Sequence, residues 1–188
     1  MLKTLRKIAS VGLVSEPAPP ADPQLRVRKA LDEQIRTVLG RALCIRHVDA
    51  GSCNGCELEI HALNNPLYNL EGLGIRFVAS PRHADLLLVT GPVTANMETA
   101  LRRVYDATPD PKLVVAIGDC GCTGGIFGES GAGLGSDRAC RGRVSNVIPV
   151  DVAVPGCPPT PERILAGILT AITNLRGATT GGHDGSAD

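Results

Sequence analysis

The strongest constraint on the fold is a pair of continuous apolar runs, ADLLLVTGP at residues 84–92 and KLVVAIGDC at 112–120. A strand with one wet face alternates apolar and polar residues, whereas an unbroken run suits a strand buried on both faces, as in a parallel sheet. Between the two runs, TANMETALRRVYDAT places Met97, Ala100, Leu101, Val104 and Tyr105 at helical spacing. Strand, helix and strand in that order form a crossover unit, because parallel neighbours need a connection long enough to return along the sheet.

The same alternation extends in both directions. LCIRHVDAG and GIRFVAS read as strands, and VIPVDVAVPGCPP ends in another. LRVRKALDEQIRTVLGRAL carries Leu25, Val27, Leu31, Ile35, Val38 and Leu39 near a helical period, with Gly40 as the stop. ELEIHALNNP is helix-like until Asn65-Pro66. PERILAGILTAITNL puts Pro161 in the first helical turn and Ile164, Leu165, Ile168, Leu169 and Ile172 on one stripe. The expected fold is a single α/β domain with a parallel sheet and helices on both faces. Its expected limits are 25–176, after an N-terminal segment and Pro-rich linker at 1–24 (SEPAPPADPQ at 15–24) and before a polar, Gly-rich tail at 177–188 that reads as disordered.

Composition narrows the function. Lys plus Arg equals Asp plus Glu at 19 each and aromatic residues make up only 2%, so neither the charge nor the stacking surface of a nucleic-acid binder is present. Lys3, Arg6 and Lys7 interrupt any run that would serve as an export signal core. No stretch approaches the ~20 apolar residues of a membrane span. Leu2, Leu5, Ile8 and Val11 recur at spacing three, which suits a short amphipathic helix on a partner or a membrane surface; a frayed terminus is the plainer alternative.

Seven cysteines in a chain without an export signal point to metal binding or thiol chemistry rather than disulfides. Cys53 and Cys56 follow the first strand as a CxxC, Cys120 ends KLVVAIGDC, and Cys157 follows VIPVDVAVPG. In parallel α/β sheets functional groups gather beyond the carboxyl ends of the strands, so three strand-end loops are expected to bring the four thiols over one rim. Four thiolates suit structural zinc or a 4Fe-4S cluster. A single CxxC joined by two isolated cysteines favours the cluster, since small zinc domains more often pair two knuckles. A thioredoxin-like use of Cys53 and Cys56 would leave Cys120 and Cys157 without a purpose. Gly51, Gly55, Gly118, Gly121 and Gly156 flank the thiols; they either let backbone amides approach sulfur or simply form tight turns.

Five ordered blocks then carry a family signature: D-A-G-S-C-N-G-C-E-L-E at 49–59, S-P-R-H-A-D at 80–85, V-T-G-P-V-T at 89–94, G-D-C at 118–120 and V-P-G-C-P-P-T at 154–160. From about residue 42 to 175 the chain resembles the small electron-transfer subunit of membrane-bound energy-converting NiFe hydrogenases, a family that includes the homologous B (20 kDa) subunit of respiratory complex I. The resemblance implies a flavodoxin-like fold and one 4Fe-4S cluster held by Cys53, Cys56, Cys120 and Cys157. It also implies a NiFe-bearing large subunit, a ferredoxin-like iron-sulfur subunit and membrane ion-translocating subunits as partners, on the cytoplasmic side of the cell membrane. The catalytic metal would lie on the partner, making this chain a wire. Complex I subunits place the two cysteines of the first motif side by side; this chain has the hydrogenase-type CxxC. Exported uptake hydrogenases carry a twin-arginine signal and a further cysteine-rich domain, and neither is expected here. A complex I-like quinone oxidoreductase subunit is the alternative, and a zinc-stabilised interaction module is the alternative of another class.

Cys122 and Cys140 are extra to this pattern. Cys140 competes with Cys157 as fourth ligand, Cys122 reads as a bystander, and Cys44 as a buried small hydrophobe. GCTGGIFGESGAGLG lacks both GxxxxGK[ST] and GxGxxG and reads as a loop around the cluster; its part GESGAGLG at 128–135 is glycine-rich where the resemblance leads one to expect an aromatic residue. Glu59 is the candidate proton relay next to the cluster; for Glu57 and Glu59 the plainer alternative is charge placed at a helix N-terminus. Arg82 and His83 are either cations near the cluster or interface contacts. His47 and His61 read as structural, and His183 as a tail residue.

Overall fold

The computed structural model describes residues 2–11, 23–128 and 139–180. Its elements in chain order are helices α1 (Leu2–Val11) and α2 (Pro23–Leu39), strand β1 (Leu43–Asp49), α3 (Gly55–Ala62), β2 (Ile75–Phe77), β3 (Leu86–Thr90), β4 (Val93–Thr94), α4 (Ala95–Ala107), β5 (Leu113–Ile117), α5 (Gly118–Thr123), β6 (Cys140–Gly142), β7 (Val152–Val154) and α6 (Pro161–Thr180). Five strands form one sheet in the order β2-β1-β3-β5-β7, with every pairing parallel. Renumbered among themselves these are strands 2-1-3-4-5, the flavodoxin-like doubly wound order.

The unbroken apolar runs have the expected consequence: every residue of β3 and β5 is buried. Alternate side chains serve opposite faces, as the period of two requires. Leu43, Ile45, Leu86, Leu88, Leu113, Val115 and Ile117 pack against α2, α3 and α6. Val48, Leu87, Val89, Val114 and Ala116 pack against Leu101 of α4 and the Val144–Ile148 segment. Gly40 ends α2 and donates its N–H to the Arg36 carbonyl at 3.2 Å. α3 stops at Ala62, three residues before Asn65-Pro66.

Some boundaries differ from the sequence expectation. Pro23 and Gln24 belong to α2 rather than to a linker, because proline is tolerated in a first helical turn. α6 runs on to Thr180, past the expected domain limit at 176. Residues 12–22 of the expected linker, 129–138 of the glycine-rich loop and 181–188 of the tail with His183 lie outside the described residues. Two features were not expected. The start of GCTGGIFGESGAGLG is helix α5 followed by a 3₁₀ turn at Gly125–Phe127, and β4 pairs antiparallel with β6 in a small second sheet. Among the described residues no helix is long and apolar enough to cross a membrane.

Candidate functional site

The carboxyl end of the sheet is built by three connections, which follow β1, β5 and β7. The first leaves β1 at Asp49, whose Oδ1 accepts the N–H groups of Gly51 at 2.8 Å and Ser52 at 2.7 Å. That short turn is the kind an Asp side chain makes with its own downstream backbone. It presents Cys53 and reaches Asn54, which has a left-handed φ of 73° and precedes α3. Cys56 is then buried in the first turn of α3 and Cys53 is left exposed.

The second and third connections are clasped to each other. Asp119 donates its N–H to the Gly156 carbonyl at 2.9 Å, and its Oδ1 accepts the Gly156 N–H at 2.8 Å. One neighbour of this two-point lock is Cys120 and the other is Cys157. Register continues the link, since Ile117 pairs with Val154 at the ends of β5 and β7. Cys120 is half-buried in α5 and Cys157 is exposed. The Cys120 connection is thus a short helix rather than a loop.

Two thiols of this rim feel the others: Cys56 feels Cys120, Cys53 and Cys157, and Cys120 feels Cys157 and Cys53. Loss of water pushes the Cys56 thiol up to about 12, with further upward pressure from Glu57, Cys120, Cys53 and Cys157. Cys120 is also raised, first by desolvation and then by Cys157 and Cys53. Anions that oppose each other in this way coexist as thiolates only around compensating positive charge. Among the described residues no three His, Cys, Asp or Glu side chains form a group that could hold a metal ion.

Backbone lies hard against two of the sulfurs. A Cβ at Gly118, whose φ is +82°, would stand 2.6 Å from the Cys56 sulfur, and one at Gly125 would stand 2.9 Å from the Cys120 sulfur. Both positions therefore require glycine so long as the thiols keep these places. A sulfur-only donor set with backbone this close fits an iron-sulfur group, which is held by cysteine thiolates and tuned by nearby amides.

Other candidate residues fall into place around this rim or away from it. Glu57 is 7% exposed. Its Oε2 accepts the Ser52 hydroxyl at 2.7 Å, while its Oε1 has no hydrogen-bond partner. His47 Nε2 stands 3.7 Å from that orphan oxygen and 3.0 Å from the Thr90 hydroxyl. Burial lowers the His47 pKa, with Glu57 and Asp49 acting in the opposite direction. His47 is therefore tied into a polar chain beneath the first cysteine loop, and His61 is exposed. Glu59 is half-buried on α3. Cys140 lies in β6, where its sulfur accepts the Gly142 N–H at 3.3 Å, and its charge also reaches Cys120. Cys122 packs against the second core face and is pushed up to about 11 by burial.

Arg82 and His83 precede β3, so they stand at the amino end of the sheet, opposite the strand ends that lead to the thiols, which leaves the reading of them as interface contacts. They line a cavity of about 420 Å³ with Arg41, Asp85 and Pro111. Cys44 faces the same cavity and is half-buried rather than buried, because it sits at the amino end of β1 where the core opens. The residues missed by sequence reasoning are Asp49, Asp119 and Ser52. Asp119 was visible as the D of G-D-C, but its role as a clasp depends on β7 lying beside β5.

Fold and site together define a flavodoxin-like α/β domain whose carboxyl-end rim gathers cysteine thiols. The family model for the 20 Kd subunit of NADH ubiquinone oxidoreductase matches residues 53–171, and the chain belongs to that family. It is a subunit type of oxidoreductase complexes. The chain is 46% identical over 151 residues to the probable membrane-bound hydrogenase subunit mbhJ of Pyrococcus furiosus, covering 79% of this chain and 86% of that one. It is 45% identical over 133 residues to formate hydrogenlyase subunit 7 of Escherichia coli, covering 70% of this chain and 49% of that one. The B subunit of NADH-quinone oxidoreductase from Desulfovibrio desulfuricans is 42% identical over 131 residues, 69% of this chain and 66% of that one. A chain in the structure of the membrane-bound sulfane sulfur reductase, an archaeal respiratory membrane complex, superposes with a TM-score of 0.57 at 31% identity, covering 82% of this chain and 78% of that one.

Proposed function

We propose that this chain is the electron-transfer subunit of a membrane-associated, cytoplasm-facing energy-converting NiFe hydrogenase, holding one 4Fe-4S cluster beside the NiFe site of its large subunit. The observation that carries the proposal is the gathering of Cys53, Cys56, Cys120 and Cys157 from three strand ends at one rim, in a chain with 46% identity to a membrane-bound hydrogenase subunit. These four would hold the cluster. A 4Fe-4S cluster stores and releases one electron at a time.

The chain's own residues set the conditions for that transfer. Asp49 and the Asp119–Gly156 clasp fix the loops that carry the thiols, so little rearrangement accompanies a change of charge. Burial of Cys56 excludes water from one side, while Cys53 and Cys157 leave the other side open toward a partner. Leu58, Ile126 and Phe127 are exposed apolar side chains on the elements that carry Cys56 and follow Cys120. We assign them to the surface that receives the large subunit, with a ferredoxin-like subunit and membrane ion-translocating subunits completing the complex. The catalytic metal belongs to the large subunit in this proposal. Glu59 is proposed as a proton relay; turnover whose pH profile is unchanged by Glu59→Gln in the assembled complex would remove it from that role.

The 42% identity to a B-type subunit of a quinone oxidoreductase supports a second assignment, to a complex I-like assembly. The spacing of Cys53 and Cys56 favours the hydrogenase. Purification of the native complex decides between them: nickel in the large subunit, magnetically coupled to the reduced cluster in low-temperature EPR, is the expected result. A nickel-free complex that reduces quinone would overturn it.

A further inference from the structure

Helix α1 presents an apolar stripe with nothing among the described residues covering it. Leu2, Leu5, Ile8 and Val11 are 79%, 61%, 62% and 57% exposed, and no residue of the helix is buried. At 100° per residue, roughly half of the cylinder is taken by these four with Ala9 and Thr4, and the opposite side by Lys3, Arg6, Lys7 and Ser10. The segment LKTLRKIASV contains no acidic residue, although the whole chain is charge-balanced.

A helix docked in a protein groove has no need of an all-cationic outer face. Three cations without an acidic residue among them, behind an exposed apolar stripe, match the headgroup region of an anionic bilayer. There the apolar side chains enter the acyl boundary and the Lys and Arg tips reach phosphate. We propose that α1 is a membrane-surface tether that lies in the interface of anionic phospholipid. The tether is separate from the cluster site and does not depend on it. One short helix gives reversible binding, and each cation near an anionic surface raises the partition coefficient about fivefold. Removing all three therefore weakens binding roughly a hundredfold.

The chain has no tryptophan, so Leu5→Trp in the full chain provides a single reporter inside the stripe. Titration with phosphatidylglycerol vesicles is expected to give a saturable blue shift of its emission. Phosphatidylcholine vesicles should give little, and high salt should reverse the shift in part. Adding Lys3→Gln, Arg6→Gln and Lys7→Gln should move the midpoint by roughly a hundredfold, and Ile8→Glu should abolish it. An emission that stays solvent-like with anionic vesicles, or that shifts equally with neutral ones, would overturn the tether. A shift that arises only when a partner subunit is added would overturn it too and assign the stripe to protein.

Discussion

At the scale of single residues the site needs groups that hold the cysteines' backbone as well as the cysteines themselves. Asp119 is the clearest case, since one carboxylate oxygen takes the Gly156 N–H while the Asp119 N–H is taken by the Gly156 carbonyl. Asp119→Ala leaves a half-buried N–H without an acceptor, at a cost of about 1–3 kcal/mol. Urea denaturation of the chain should show that loss, and iron retention after desalting should fall with it. Asp119→Asn keeps an oxygen in place and should behave close to the parent in both measurements. Equal iron retention in the Ala variant would mean that the clasp does not position Cys120 and Cys157.

At the scale of elements, α6 lies so close to β7 that a Cβ on Gly167 would collide with the Val154 side chain, which is itself 4% exposed. Val154 stands three residues before Cys157, on the strand that leads into the third thiol connection. Gly167→Leu should destabilise the chain by about 1–3 kcal/mol through overpacking, read as a lower urea midpoint at unchanged slope. Elements differ in how far they are legible in the sequence. β3 and β5 are plain because each is apolar throughout, and α6 because Ile164, Leu165, Ile168 and Ile172 repeat at helical period. α5 was missed because GDCGCT has no apolar period, and its six residues are held by the sheet end rather than by propensity. The β4–β6 pair was missed because Val93–Thr94 and Cys140–Gly142 are very short and far apart in the chain, so only tertiary packing brings them together. The choice between cluster cation and interface contact stayed open for Arg82 and His83 for a simpler reason: their distance from the thiols depends on which end of β3 they occupy.

At the scale of the whole molecule, a parallel sheet sends every strand's carboxyl end to one rim, so residues as distant as Cys53 and Cys157 meet without either needing a local motif. The connections at that rim also carry exposed apolar side chains, among them Ile126 at 73% and Leu58 at 61% exposure. If this is the surface for the large subunit, Ile126→Asp combined with Phe127→Asp should abolish copurification of that subunit while leaving the iron content of this chain intact. Loss of iron in parallel would instead place those side chains in the support of the thiols. The central claim, that four thiols from three strand ends cage an inorganic cluster, is tested most directly by iron and acid-labile sulfide content of the anaerobically purified chain. The account predicts about four of each per chain, falling steeply in separate Cys53→Ser, Cys56→Ser, Cys120→Ser and Cys157→Ser variants but not in Cys122→Ser or Cys140→Ser. A colourless chain holding one zinc and no sulfide, or full iron content in Cys157→Ser, would contradict it.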